Sequence, residues 1–241
     1  MNSLIVGAKG EVGKAYAEIL SPHFKVFGVD IKDEEEKEIP KIDTMHVAIP
    51  GLLPDFVNIT KEYVKKYKPS IIDILSTVLP GTCEKVGPSC CHSTTRGMHP
   101  NLSSGIRNHI KFIGGKYADY LSQYYAKAGI KCVTFRQAKT SEAAHVLTLI
   151  QYGVDLMLAD EKARLCREWG VDYLESIIKY EETGNKAWSK MDMKRLSRPI
   201  LLPPNGKIGG HCVRQSAQLI PDDMRPLMVG LLAKHGSENG N

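Results

Sequence analysis

The residues with the clearest chemical pattern form a glycine-rich segment close to the N-terminus. Gly7, Gly10 and Gly13 lie between an apolar run at residues 3–6 and a helical pattern at residues 14–20. Glycines let the backbone turn tightly and approach a pyrophosphate, and the N-terminus of the following helix offers N–H groups and a positive dipole end to phosphates. The pattern predicts a dinucleotide site. Its predicted contacts are Gly7, Lys9, Gly10, Glu11, Val12 and Gly13.

Asp30 closes the second predicted strand and is the expected acidic partner of this turn. A carboxylate there accepts hydrogen bonds from ribose hydroxyls and repels a 2′-phosphate, so we expect NAD rather than NADP. The spacing G-x-x-G-x-x-G is one residue longer than G-x-G-x-x-G, so Lys9 could lie near a phosphate. The alternative is a turn that only packs a helix on a strand. Further predicted cofactor contacts are Ile31, Pro50, Ser76 and Thr77.

A second segment with chemical potential is Gly209-Gly210-His211-Cys212. Cysteine is the strongest nucleophile among side chains at neutral pH once its pKa is lowered. Cys212 is therefore a candidate nucleophile, and His211 could lower the pKa of its thiol. The alternative is that Cys212 is a small residue held by the packing of the glycine turn.

Strands and helices alternate along the first half of the chain, which is typical of a parallel α/β sheet. The continuous apolar run at residues 70–75 suits a strand buried on both faces. The fold class expected is a Rossmann-type parallel sheet domain followed by an all-helical domain. Predicted strands cover residues 3–6, 24–29, 44–49, 70–75, 94–98, 111–113 and 131–135, and predicted helices 14–20, 55–67 and 117–128.

The pattern changes near residue 138, where apolar residues begin to recur at spacings of three and four. They predict one helix over residues 140–169, with Thr140 as N-cap and Gly170 as its stop, about 45 Å long at ~1.5 Å per residue. A shorter helix at 172–182, a Pro- and Gly-rich stretch and a helical tail follow. We expect an NAD-binding domain at 1–138, a helical substrate and dimerisation domain at 139–241, and a homodimer formed through the long helix.

Composition excludes several classes of protein. No apolar run is long enough to span a membrane, and the N-terminus lacks the features of a secretory signal. The six cysteines form no C-x-x-C pair, which fits a reduced, cytoplasmic setting, and the net charge of +5 is spread along the chain, so we expect no nucleic-acid partner. No metal is expected, because no spacing matches a ligand pattern among the available residues, which are Cys90, Cys91, His92, His99, His211 and Cys212.

Four segments resemble one family of enzymes. Residues 203–213 resemble the P-G-P-G-V-G-G-H-C-I signature of the UDP-glucose/GDP-mannose dehydrogenases, within the 6-phosphogluconate dehydrogenase-like superfamily. Residues 76–82 resemble that family's S-T-V-P-P-G-T, residues 112–115 its V-I-G-G, and residues 141–145 the opening of its central helix. The resemblance covers nearly the whole chain and implies a Rossmann fold, NAD, and Cys212 as a nucleophile that forms a thiohemiacetal and then a thioester.

Departures from the family are equally clear. His145 and Leu149 stand where the family has Lys and Asn, groups that stabilise the oxyanion. Asn101 stands where its S-P-E motif has Glu, and Ser216 where it has Asp. The sequence also leaves no room for the family's third domain. Because losing one oxyanion donor costs ~10²–10³ in rate, we expect a truncated, divergent member that does not perform the four-electron reaction.

Two histidines are candidates for acid–base chemistry. His145 takes the position of a lysine that serves as general base in related two-domain dehydrogenases, and a histidine can do this near neutral pH. Gly97-Met98-His99-Pro100 resembles the G-x-H-P of prephenate dehydrogenases, in which the histidine accepts the substrate's hydroxyl proton. The alternative for each is packing. The predicted catalytic residues are His145, Cys212 and His99, and the predicted substrate contacts are Asn101, Gly209, Gly210 and His211.

The first hypothesis is thus an NAD-dependent oxidoreductase acting on a hydroxyl group of a small substrate. The second is a truncated sugar-nucleotide dehydrogenase that uses Cys212. The third is a dinucleotide-binding protein without catalytic activity, which the substituted family positions favour.

Overall fold

A computed structural model of the chain describes residues 1–30, 39–97, 100–205, 208 and 211–234. The chain forms two compact units, Met1–Val146 and Leu147–Asn241. The predicted domain boundary at 138/139 coincides with the first residue of the long helix, whereas the compact units divide within that helix.

The first unit is built on a seven-stranded sheet, which confirms the predicted Rossmann-type fold class. The strand order is β2-β1-β3-β4-β5-β6-β7; β1 to β5 are parallel, and β6 runs antiparallel to β5. The strands are β1 (Asn2–Val6), β2 (Lys25–Val29), β3 (Thr44–Val47), β4 (Ile71–Ile74), β5 (Cys90–Ser93), β6 (Lys111–Gly114) and β7 (Cys132–Phe135).

Helices cover both faces of this sheet. They are α1 (Glu11–Leu20), α2 (Phe56–Tyr67), α3 (Thr82–Val86), α4 (Leu102–Asn108), α5 (Ala118–Lys127) and the start of α6 (Ala138–Trp169). Successive side chains of a strand point to opposite faces. Ile5 therefore packs with Tyr16 of α1, whereas Leu4 packs with Phe56 of α2, and all four side chains are buried.

Two predictions about elements were wrong, and two helices were not predicted. The fifth strand lies at Cys90–Ser93 rather than at 94–98, because Cys90 and its neighbours pair with β4 while the Thr94 hydroxyl accepts the backbone N–H of Phe112. The residues of β5 are cysteine, histidine and serine, which are not among the β-branched and aromatic residues that mark a strand, and this hid β5. Helices α3 and α4 were not predicted. Thr140 is not an N-cap, since α6 begins at Ala138.

The second unit contains the rest of α6 and four further helical segments of note. These are a π-helical turn at Leu174–Ile178 leading into α7 (Lys179–Lys190), and α8 (His211–Leu219) and α9 (Leu227–Lys234). The predicted helix at 172–182 is this π-helical turn and the start of α7. Gly153 of α6 lies where an added Cβ would come within 2.5 Å of Val213 and 2.6 Å of Leu232, so the three helices α6, α8 and α9 meet there. In the described part of the chain, no helix combines the length and apolarity of a membrane span.

Candidate functional site

The carboxyl ends of β1 to β4 meet at one edge of the sheet, and the strand order reverses there. From β1 the chain passes outward to β2, then returns to the other side of β1 as β3. Ligands of open α/β sheets bind in the crevice at such a reversal. The glycine turn follows β1 and Asp30 follows β2, so the two predicted dinucleotide contacts lie at this edge.

Two glycines of the turn are required by geometry. Gly7 has φ +85°, and a Cβ there would lie 2.7 Å from the carbonyl oxygen of Ala48. A Cβ on Gly13 would lie 2.2 Å from the carbonyl oxygen of Gly7. The turn is therefore tight, and Gly10 is the N-cap of α1, whose N-terminus opens at the turn. Such an N-terminus suits a pyrophosphate.

The extra residue of the turn contacts the acidic residue. The backbone N–H of Lys9 donates to Oδ2 of Asp30 over 3.1 Å. This bond holds the carboxylate beside the turn, which is where the ribose of a dinucleotide on the turn would lie. Glu11 is exposed at the first position of α1, whereas Val12 is half-buried and packs against the core cluster that contains Tyr16.

The loops that follow β3 and β4 border the same edge. The Ser76 hydroxyl donates to the carbonyl of Ile49 over 2.5 Å and lies 3.3 Å from that of Val47, so the two loops are held together. Pro50 and Thr77, both predicted cofactor contacts, lie on these loops; Pro50 is exposed and Thr77 is half-buried.

Glu142 of α6 fixes the loop that begins at Ser76. Its Oε2 accepts the backbone N–H of Gly81 over 2.6 Å, and its Oε1 accepts that of Cys83 over 2.8 Å. The carboxylate is fully buried and caps the N-terminus of α3, and charge-assisted bonds of this kind offset the cost of burying it. The sequence analysis missed this role. A glutamate in the first turns of an apolar helix was the available signal.

His145 lies on α6, one turn after Ser141, and is 6% exposed. Its Nδ1 is 3.5 Å from Nε2 of His92. Burial and the charges of Lys111 and Arg96 lower the pKa of His145 to about 4, against a hydrogen bond with the Thr95 backbone that raises it. The ring is therefore neutral at neutral pH, the form that accepts a proton, although a low pKa makes it a weak base.

His92 of β5 is a functional candidate that the sequence analysis considered only as a metal ligand. Its Nδ1 lies 3.0 Å from Oγ of Ser141 and its Nε2 3.3 Å from the carbonyl oxygen of Ser76. Burial, followed by the charge of His145, lowers the pKa of His92 well below its ordinary value. His92 thus joins the candidate cofactor loop to the candidate base on α6.

A buried polar network lies behind these groups and was also missed. Nδ1 of His46 is 3.0 Å from Oδ2 of Asp73, which also accepts the Tyr125 hydroxyl, and Nε2 of His46 is 3.1 Å from the Tyr124 hydroxyl. Burial raises the pKa of Asp73, but the hydrogen bond and charge of His46 and the charge of Lys111 outweigh it, so the pKa is lowered. Among the described residues, no three His, Cys, Asp or Glu side chains are grouped to hold a metal ion.

No family model matches the chain. The curated UDP-N-acetyl-D-mannosamine dehydrogenase of Methanocaldococcus jannaschii is 25% identical over 171 residues, which is 66% of this chain and 37% of that protein. The structure of UDP-D-ManNAc dehydrogenase from Pyrococcus horikoshii superposes with a TM-score of 0.77 at 18% identity, over 97% of this chain and 68% of the other. The chain is thus similar to a UDP-N-acetyl-D-mannosamine dehydrogenase in sequence and shares the fold of another. The resemblance seen in the sequence is thereby confirmed.

A shorter dehydrogenase has the same fold over almost its whole length. The 3-hydroxyisobutyrate dehydrogenase of Mycobacterium tuberculosis, solved with L-serine, superposes with a TM-score of 0.67 at 11% identity. The match covers 98% of this chain and 94% of that one. In contrast, the chain spans 37% of the curated sugar-nucleotide relative.

The structure places the remaining predicted site residues as follows. Asn101 is exposed and precedes α4 as its N-cap. Cys212 is exposed on the first turn of α8, in the second compact unit. Ile31, His99, Gly209 and Gly210 lie outside the described residues, as does the side chain of His211, the first residue of α8. The catalytic assignments of His99, His145 and Cys212 stay predictions.

Proposed function

We propose that this chain is an NAD-dependent dehydrogenase that oxidises a hydroxyl group of a small substrate. One observation carries the proposal. The glycine turn and Asp30 lie together at the edge where the strand order reverses, joined by the 3.1 Å bond from Lys9. A tight turn in which a Cβ on Gly13 would meet the Gly7 carbonyl also suits the close approach of a pyrophosphate.

Different residues of the chain would bind the cofactor and accept the proton. The glycine turn would bind the pyrophosphate, Asp30 the adenosine ribose, and the loop at Ser76 would border the nicotinamide. When bound, NAD supplies the hydride acceptor. His145, which is neutral and lies beside His92 of β5, would accept the hydroxyl proton while the hydride leaves the same substrate carbon.

The length of one structural neighbour and the charge of Arg96 both favour a small hydroxy acid as the substrate. The Mycobacterium tuberculosis protein, named for a small hydroxy acid and solved with L-serine, is covered over 94% of its length. Arg96 is exposed, and its charge acts on His145. A cation beside the candidate base would attract a carboxylate, which favours a small hydroxy acid.

Two alternatives have observations of their own. Cys212 is exposed on the first turn of α8, and the N-terminus of a helix lowers a thiol pKa, which favours a sugar-nucleotide dehydrogenase with a cysteine nucleophile. The low pKa of His145, about 4, favours a dinucleotide-binding protein without activity, since such a ring holds a proton poorly at neutral pH.

We also propose a homodimer formed through α6. Leu147, Leu158 and Trp169 are 58%, 49% and 70% exposed. Their regular spacing of about three helical turns places them on one stripe of the helix. Sedimentation should show that Leu158→Glu converts a dimer to a monomer, while a wild-type monomer at micromolar concentration would refute this contact.

The first test of function is calorimetric titration with NAD and NADP. We expect NAD to bind more tightly than NADP. Asp30→Ala should lower the affinity for NAD by about tenfold or more, because a hydrogen bond to a charged group contributes about 1.5–3 kcal/mol. Asp43→Ala is the matched control, because Asp43 also accepts a backbone N–H, from Asn2 over 2.7 Å, but precedes β3. An absence of binding at millimolar NAD would refute the proposal.

Substrate panels separate the alternatives. L-serine, 3-hydroxyisobutyrate and UDP-N-acetyl-D-mannosamine would each be offered with NAD while NADH absorbance is followed. Turnover of a hydroxy acid that survives Cys212→Ala supports the first proposal. Turnover of the sugar nucleotide that Cys212→Ala abolishes supports the second, and NAD binding without turnover of any compound supports the third.

A further inference from the structure

We propose that the second compact unit holds a binding site for a small ω-amino acid, a molecule with an ammonium and a carboxylate at the two ends of a short apolar chain. The site is a cavity of about 130 Å³ lined by α6, the π-helical turn, α7 and residues 198–201. All the lining residues belong to the second unit, so the proposal does not depend on the dehydrogenase function.

One face of α6 sets the order of charges along the cavity. Asp155, Ala159 and Lys162 all line it, at spacings of four and three residues, which place them on one side of the helix. From Asp155 to Lys162 the helix rises by about 10.5 Å. This face therefore carries a carboxylate at one end, an ammonium two turns further on, and a methyl group between them.

The positive end of the cavity has one more cation than anion. Glu181 of α7 is buried, with its Oε1 3.5 Å from Nζ of Lys162 and its Oε2 3.4 Å from Nη1 of Arg198. Close charge-assisted bonds measure about 2.7–2.9 Å, so both cations are held loosely. The side chains of Lys162 and Arg198 stay 35% and 63% exposed. Two accessible cations around one buried carboxylate attract the carboxylate of a ligand.

The negative end of the cavity is Asp155. Burial raises the pKa of this carboxyl group, against a hydrogen bond from Gln151 and the charge of Lys162, which lower it. A carboxylate that has lost part of its water is stabilised by an opposite charge within about 4–6 Å. An ammonium group of a ligand would supply that charge, at the end of the cavity away from Lys162.

The middle of the cavity is apolar and short. Ala159, Ile177 and Ile178 line it. A cavity of about 150 Å³ holds a molecule the size of benzene, so this one holds a chain of a few carbons. With a contact of about 2.8 Å at each charged end, about 5 Å of the helix rise remains for the ligand. That length suits a chain of three or four methylene groups between the ammonium and the carboxylate.

The wall opposite α6 is fixed at both of its ends. Nδ2 of Asn185 donates to the carbonyl of Arg198 over 2.8 Å, and Oδ1 of Asn185 accepts the backbone N–H of Arg198 over 2.8 Å. The Tyr173 hydroxyl donates to the carbonyl of Leu201 over 2.9 Å. Pro199 lies between these anchors and has a fixed φ. A wall that is already ordered reduces the entropy cost of binding a small molecule.

The test is calorimetric titration with 5-aminopentanoate and with L-norvaline. The two are isomers with the same charges, but L-norvaline carries its ammonium beside its carboxylate and cannot reach both ends of the cavity. We expect 5-aminopentanoate to bind with a Kd below about 1 mM, at least about tenfold more tightly than L-norvaline. The protein is used in its native assembly, because Leu158 lines the cavity and also belongs to the proposed dimer stripe.

Two substitutions test the two ends of the site separately. Asp155→Asn and Arg198→Gln should each lower the affinity for 5-aminopentanoate by about tenfold or more, because each removes one charged partner of the ligand. Asp160→Asn is the matched control: Asp160 is also a half-buried aspartate of α6 but lies outside the cavity lining, so its affinity should stay within about twofold. Circular dichroism checks that each variant is folded.

Equal affinities for the two isomers would overturn the proposal, since the separation of the charges would then not matter. An absence of 5-aminopentanoate binding at about 10 mM would overturn it as well, and so would unchanged affinity in a folded Asp155→Asn protein. NAD binding is measured on the same samples. If NAD does not bind but 5-aminopentanoate does, the proposed dehydrogenase function fails and this site stands.

Discussion

One half of the candidate site, the glycine turn, is built mainly from backbone groups, and the other half, around His145, is built from side chains. At the glycine turn, the contacts are made by backbone: the carbonyl of Gly7 packs against the place a Cβ of Gly13 would occupy, and the Lys9 N–H reaches Asp30. Around His145, the contacts are made by buried side chains, those of His92, Ser141 and, nearby, Glu142.

This difference predicts opposite sensitivities to substitution. A backbone-built half should tolerate a change of side chain and fail when the backbone path is blocked. A half built from side chains should respond to isosteric changes and to pH, because its groups are buried and titratable.

The largest effect is expected from Gly13→Val. The new Cβ would meet the Gly7 carbonyl at 2.2 Å, so the turn must open, and we expect NAD affinity to fall by more than about a thousandfold. Calorimetry measures this, with circular dichroism as a check on folding. Gly184→Ala is the control, since nothing lies within 4 Å of a Cβ there. Retained NAD binding in a folded Gly13→Val protein would show that the turn is not the site.

Glu142 gives the next largest effect, this time on stability. Glu142→Ala leaves two buried N–H groups without an acceptor, and urea unfolding should show a loss of about 3 kcal/mol. Glu84→Ala is a matched control on the same pair of helices: its ion pair with Lys139, over 2.8 Å, is half-exposed and should cost under about 1 kcal/mol. Equal losses in the two variants would contradict the capping role of Glu142.

The glycine turn and the order of the elements were predictable because backbone requirements leave residue types that can be recognised. The spacing of Gly7, Gly13 and Asp30 can be recognised in the sequence. The strands β1, β3 and β4 can be recognised because their apolar runs are continuous. The long helix α6 was predicted from its periodicity, though its start was placed at Thr140 instead of Ala138.

The histidine half was only partly predictable, since its partners come together through tertiary structure alone. His92 lies in a strand without β-branched or aromatic residues, and its contacts with Ser76 and Ser141 join residues far apart in sequence. In the sequence, Asp73 and His46 do not differ from other residues of their strands, yet in the structure they form a buried hydrogen-bonded pair. No local pattern distinguishes a polar residue of this kind from one that faces solvent.

The buried histidines should make stability depend on pH. His145 has a folded pKa of about 4, below the ordinary 6.5, so the unfolded chain binds more protons between these values. Stability is therefore full above about pH 6.5 and falls as the pH drops towards 4, by about 2 kcal/mol at pH 5 for this residue. In urea unfolding, the free energy of unfolding of His145→Gln should fall less steeply as the pH drops. Replacement of the exposed His23 by Asn should leave the decline of the wild type unchanged. A decline that His145→Gln does not change would contradict this account.

The smallest effect on NAD affinity is expected at Lys9, where two substitutions distinguish the backbone N–H from the side chain. Lys9 reaches Asp30 through its N–H, so Lys9→Ala should change NAD affinity by less than about threefold, whereas Lys9→Pro, which has no N–H, should lower it by about tenfold. Calorimetry at low salt measures both. If Lys9→Ala were the more damaging change, the ammonium group would be the contact, as expected for a lysine on a phosphate. The turn would then depend on a side chain as much as the histidine half does.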